Sequence, residues 1–199
     1  MGRLNWDSYD LVIACNVGAW PAGVAESLRR YVEKGGGFLL AGGQLAVGVS
    51  PGSGWLPAVL GAARSVKPPQ SAATSIPAHP VFSLMGGNPS RLLSKTRIRR
   101  VTPLSPTGGG KTLLSLKDGT PILVVGQAGA GKSAVWGTTC DRAWTDIPVR
   151  SVFVPLLRGI LNCLGAGSRG GRPGSRRADP LRCALLRLAP ERRYRYALP

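Results

Sequence analysis

The chain has 199 residues, 43% of them hydrophobic, and a formal net charge of +17. That length supports one ordinary core plus a tail, and no uninterrupted apolar run reaches the ~18 residues of a membrane helix. Four cysteines without C-x-x-C spacing and a single histidine, His79, argue against a closed zinc site, and no cofactor is expected.

The start, Met1 to Asp7, has no apolar core of the kind an export signal carries. Tyr9 to Asn16 then forms a short apolar run headed by a polar residue, the pattern of a buried parallel strand. Pro21 sits where a helix begins, and Val24, Leu28, Tyr31 and Val32 recur at helical spacing up to the Gly35-Gly36-Gly37 stop. Phe38 to Ala41 is the next strand and closes a right-handed β-α-β unit.

Residues 55–63 read as a short helix, followed by a linker around Pro68 and Pro69. His79 to Phe82 reads as a brief turn or edge segment. Residues 97–104, 112–116, 122–125 and 134–139 read as successive, largely antiparallel strands, with Asp118-Gly119 as a tight turn. Val149, Val152, Phe153, Leu156, Leu157, Ile160, Leu161 and Leu164 give an apolar face at 3.6 spacing, a long helix bounded by Pro148 and Gly165. Pro155 inside it predicts a kink or the end of a first short turn.

Residues 1–165 carry 17 basic and 7 acidic side chains, and residues 166–199 carry 9 arginines against 2 acidic groups. The arginines are interleaved with Gly, Pro and Ser, so residues 166–199 are expected to be a disordered tail, with one weak helix around Leu181 to Leu188. Such a tail attracts nucleic acid or acidic lipid without sequence preference. The expected organisation is an α/β domain over 1–165, a flavodoxin-like or Rossmann-like three-layer sheet. Its first half is parallel and its second half is built of antiparallel hairpin strands.

Gly126 to Ser133 satisfies the phosphate-loop pattern G-x-x-x-x-G-K-[ST]. The loop needs a strand before it and a helix starting at the Lys-Ser pair, so that amide groups and the positive helix end face the anion. Pro121 to Val125 supplies the strand. Ser133 to Cys140, rich in β-branched and aromatic residues, reads as a second strand instead. Gly126, Gly131, Lys132 and Ser133 are therefore expected to be a decoy on a hairpin, with a nucleotide hydrolase as the alternative.

Tyr9 to Ile13 with Asn16, Tyr31 to Gly37, His79 to Phe82, Asp118 to Pro121, Gly129 to Lys132, Asp141 to Pro148 and Phe153 to Leu157 follow one another as landmarks along the chain. In this order they resemble the class I glutamine amidotransferase-like domain of bacterial aerotolerance-regulator and von Willebrand A domain membrane proteins. The resemblance implies membrane helices and a further domain upstream, so the chain is expected to be a fragment. The arginine-rich tail departs from the family pattern.

An amidotransferase needs a cysteine nucleophile at a strand-to-helix turn, paired with a histidine and an acid. The corresponding turn, Gly42-Gly43-Gln44, has no thiol or hydroxyl. No catalytic residue is expected, and the reading is a non-catalytic interaction module with protein partners. Two further possibilities follow from the residues. Cys15, His79 and Asp141 could form an unorthodox thiol site. Asn16, Gln44, Asp141, Arg142 and Trp144 could line a ligand crevice, unless the last three brace their loop and Asp146 caps the final helix.

Overall fold

The computed structural model describes residues 5–21, 23–46, 54–170 and 183–186, with residues 166–170 and 186 described by backbone alone. A seven-stranded mixed sheet organises them, in the order β11-β1-β2-β10-β9-β8-β5. Its strands are β1 (Leu11–Cys15), β2 (Gly37–Ala41), β5 (Ala72–Thr74), β8 (Lys111–Leu116), β9 (Pro121–Ala128), β10 (Gly131–Trp136) and β11 (Cys183–Leu186). β11, β1, β2 and β10 run parallel, while β9, β8 and β5 continue the sheet antiparallel. Two small ribbons pair β3 (Ala58–Leu60) with β7 (Leu104–Pro106) and β4 (Arg64–Gln70) with β6 (Ile98–Val101).

Strand alternation sorts the core into two layers. Val12, Ala14, Phe38, Leu40 and Val135 face α1 (Val24–Glu33), which contributes Leu28, Tyr31 and Val32. Leu11, Leu39, Ala41, Ala134 and Trp136 face α3 (Phe153–Gly170), which contributes Leu156, Ile160 and Leu164. Pro155 falls in the first turn of α3, where its missing N–H breaks no helical bond.

The expected flavodoxin-like or Rossmann-like three-layer sandwich is not what the chain builds. Such a fold places a crossover helix after each parallel strand. Here the described residues of the link from β2 to its parallel neighbour β10 contain β3 to β9, a 3-10 turn at Pro80–Phe82 and one five-residue α-helix, α2 (Pro89–Leu93). One long helix therefore covers each face, and ribbons and loops cover the rest. The fold is α/β with a sheet-rich mixed architecture.

Local corrections follow the same physics. Residues 58–60 form a strand rather than a helix, with Ala58 and Leu60 buried around exposed Val59. The Pro68-Pro69 linker lies within β4, which pairs on one side with β6 across a register shift. Prolines tolerate that position because an edge strand has donors to spare. The final helix runs past Gly165 to Gly170, and residues 183–186 form a strand beside β1, not part of a helix. The remainder of the expected tail lies outside the described residues.

Candidate functional site

Gly126 to Ser133 forms a hairpin turn. Ala128 pairs with Gly131 across a two-residue link in which Gly129 has φ 60°, and Gly131 opens β10, not a helix. Lys132 is bound into the ladder between Gln127 and Gly37, so successive amides point to opposite sides. The glycines have packing reasons. The Ala130 N–H donates to the Glu33 carbonyl at 2.9 Å. A Cβ on Gly131 would lie 2.1 Å from the Val32 carbonyl oxygen, and one on Gly129 would lie 2.6 Å from that of Glu33. The turn thus docks on the carboxyl end of α1, the negative end of its dipole, which repels an anion. Ser133 is buried, its hydroxyl donating to the Trp55 carbonyl at 3.0 Å.

The carboxyl ends of β1, β2 and β10 form one edge, where ligand sites of parallel sheets gather. Asn16 has φ 52°, donates its N–H to the Ala41 carbonyl at 3.1 Å and accepts the Leu45 N–H on Oδ1 at 2.7 Å. Gly43 is pressed so close that a Cβ would lie 2.3 Å from Asn16 Oδ1. Asn16 and Gln44 therefore share this edge, Asn16 holding the turn and Gln44 exposed.

Asp141, Arg142 and Trp144 lie on the segment leaving β10 and lean on β6. Asp141 Oδ1 accepts the Ala143 N–H at 2.8 Å, and the Arg142 carbonyl accepts the Arg99 guanidinium at 2.6 Å. Trp144 is buried with the Arg100 Cζ 5.0 Å from its ring centroid, and its carbonyl takes the Arg99 N–H. Asp146 does not cap α3. Its carboxylate accepts the Arg97 N–H at 2.6 Å and pairs with Arg150. Burial pushes that carboxyl's pKa up, but the Arg97 N–H and Arg150 outweigh it and hold it below the usual range.

Cys15, His79 and Asp141 come from three separate elements. Cys15 ends β1, level with Trp136 at the close of β10. His79 caps a 3-10 turn at Pro80–Phe82, its Nδ1 accepting the Val81 N–H at 3.3 Å. Burial lowers the His79 pKa, reinforced by Lys111 and by Lys132 at the opening of β10.

The sequence reading missed Thr102, Trp136 and Thr138 at the carboxyl edge, and Arg100 two residues earlier in β6. Each carries a buried polar atom without a partner in the described structure. The Thr102 N–H donates to the Gly137 carbonyl at 2.7 Å, which ties the end of β6 to the end of β10. The available sequence signal was the polar Thr138-Thr139 pair directly after an apolar strand.

No protein-family model matches the sequence, and no curated protein matches it. Solved structures do share the fold. A cytoplasmic protein of Salmonella typhimurium superposes with a TM-score of 0.65 at 19% identity, over 79% of this chain and 72% of the other. A second cytoplasmic protein, from Salmonella typhimurium LT2, gives 0.63 at 16% identity, over 79% and 73%. A β-galactosidase from a Rahnella species gives 0.58 at 19% identity, over 77% of this chain but 22% of the galactosidase. At these identities the likeness is one of fold.

Proposed function

We propose that the protein is a non-catalytic interaction module, of the amidotransferase-like kind that its sequence landmarks resemble. The observation that carries this reading is how the reactive side chains are used. Asn16, Asp141 and Asp146 accept backbone N–H groups that hold turns, and the glycine loop seats the carboxyl end of α1. His79 accepts the Val81 N–H to cap its turn, and the Ser133 hydroxyl is spent on the Trp55 carbonyl. The fold's recurrence as 22% of a much longer galactosidase chain also suits a module carried by larger proteins. Its membrane setting is part of the same proposal; among the described residues no helix is long and apolar enough to cross a bilayer.

The test is turnover. Purified chain should release no ammonia from glutamine and no phosphate from ATP with magnesium above the buffer blank, and Cys15→Ala and Lys132→Ala should match it. A glutaminase rate abolished by Cys15→Ala, or an ATPase rate abolished by Lys132→Ala, would overturn the reading.

A further inference from the structure

From Lys34 to Lys117 the chain has no acidic residue. Within that run Lys95, Arg97 and Arg99 are exposed, while Thr96 and Ile98 between them are buried. Three cations therefore stand in a row along β6 and its approach, and neighbours in such a row are roughly 7 Å apart on an extended backbone. The segment leaving β10 is tied beside them. The Arg97 N–H donates to Asp146 Oδ1 at 2.6 Å, the Arg97 carbonyl accepts the Asp146 N–H at 3.1 Å, and Ile98 bridges Thr145. The Arg99 guanidinium reaches the Arg142 carbonyl at 2.6 Å, and Arg150 Nε donates to Asp146 Oδ2 at 2.9 Å. Arg142 and Arg150 are exposed as well, so they flank the row.

The charge of this patch is one-sided. Asp141 and Asp146 are the carboxylates of the tied segment, and both are engaged locally: Asp146 by the Arg97 N–H and Arg150, Asp141 by the Ala143 N–H. Lys95, Arg97, Arg99 and Arg142 form no ion pair among the described residues. Like charges held this close repel one another, and an anionic partner relieves that repulsion. A row of cations suits a polymer with one charge per repeat better than a single small anion, and guanidinium groups match phosphate oxygens with two parallel N–H bonds. The apolar side chains set within the row, Ile98 and Trp144, are buried. The row thus offers no ring to stack an unpaired base. A double helix presents its phosphates outward and needs none.

We infer that Lys95, Arg97, Arg99, Arg142 and Arg150 form a docking surface for the phosphate backbone of double-helical nucleic acid, bound without regard to sequence. The inference goes beyond the module reading and does not rest on it. The full chain is titrated into a short fluorescent DNA duplex, and anisotropy is followed between about 50 and 200 mM salt. The triple variant Lys95→Gln, Arg97→Gln, Arg99→Gln should weaken binding at least about tenfold and flatten the slope of log K against log salt by about 2–3. The arginine-rich tail is present in parent and variant, so the difference reports the row. Lys34→Gln, Lys111→Gln, Lys117→Gln removes the same charge from exposed lysines elsewhere and should stay within about threefold of the parent. The pair Lys95→Gln, Arg97→Gln touches side chains that form no hydrogen bond among the described residues. It should flatten the slope by about 2, and it decides the matter if the triple variant does not fold. Equal weakening by the lysine control would reduce the effect to net charge and overturn the surface. A single strand bound more tightly than the duplex, and lost in the triple variant, would overturn the duplex assignment. Val149 beside Arg150 is 58% exposed, which makes a lipid surface the competitor. A triple variant that loses vesicles of phosphatidylserine and phosphatidylcholine but keeps the duplex would assign the row to lipid and sink the inference.

Discussion

Gly131 is the residue at which a phosphate-loop reading and a packing reading make opposite demands. If the loop held phosphate, Lys132 would be the indispensable side chain. The geometry puts the constraint one residue earlier, because a Cβ on Gly131 would stand 2.1 Å from the Val32 carbonyl oxygen and 2.4 Å from that of Gly36. Both neighbours are backbone, so neither yields without moving α1 or the link from α1 to β2. Gly131→Ala should therefore cost about 2–4 kcal/mol. Lys132→Ala, which truncates a half-buried stem in the ladder, should cost within about 1 kcal/mol. Urea unfolding of the two variants against the parent checks the order, and a Gly131→Ala protein as stable as Lys132→Ala would refute it. The hairpin was legible beforehand because Val135, Trp136, Thr138 and Thr139 oppose a helix. The reason for the glycines was not, since it resides in the Val32 and Glu33 carbonyls at the end of α1, far earlier in the chain, which no local pattern links to the turn.

Among the elements, the turn joining β8 to β9 is where a local signal and its energetics coincide. Asp118-Gly119 announces it, and Gly119 adopts φ 85° as such a turn requires. Asp118 then accepts the Thr120 N–H at 2.9 Å and receives Arg64 and Gln70 from β4, at 3.2 Å each. The Thr120 hydroxyl and N–H, opposed by burial and aided by Arg64 and Gln70, bring the Asp118 pKa to about 2. The folded pKa lies below the unfolded value near 3.9. Its stabilisation is thus present above about pH 4 and disappears as pH falls toward about 2. With the Asp118 side chain 37% exposed, screening limits it to under about 1 kcal/mol. Asp118→Asn should be less stable than the parent at neutral pH, and the gap should close in acid. A gap unchanged between about pH 5 and pH 2 would contradict this assignment. Elsewhere the element reading failed where burial is one-sided and short. Trp55 and Leu56 beside Ala58 and Leu60 gave a compact apolar cluster that periodicity alone cannot divide between helix and strand. The candidate edge suffered likewise: Asn16 and Gln44 follow from strand ends, but Thr102 reaches it only through the long-range bond to the Gly137 carbonyl.

At the scale of the whole molecule, the sheet's parallel half ends on a strand contributed by the arginine-rich region. β11 pairs with β1 from Leu11↔Cys183 to Ala14↔Leu186, and Ala184 packs on the α1-face core while Leu185 stays 57% exposed. Composition could not reveal this, because four residues held chiefly by backbone bonds leave almost no mark in a segment dominated by Gly, Pro and Arg. The consequence falls on β1. Leu11, Val12 and Ala14 are completely buried, and this strand carries neither the lysine nor the proline that protects an open edge. A chain ended after Gly170 should expose that edge, melt about 2–8 °C lower and self-associate. The truncation also removes eight arginines, so like-charge repulsion falls with it. The effect of the strand is isolated by Ala184→Asp in the full chain, which adds one carboxylate to the α1-face core and keeps the tail. Light scattering and thermal melts at about 0.3 M salt, where surface charges are screened within a few ångströms, should show both proteins less stable than the parent. A truncated chain that stays monomeric and melts with the parent would show that β1 does not need β11 to close the sheet.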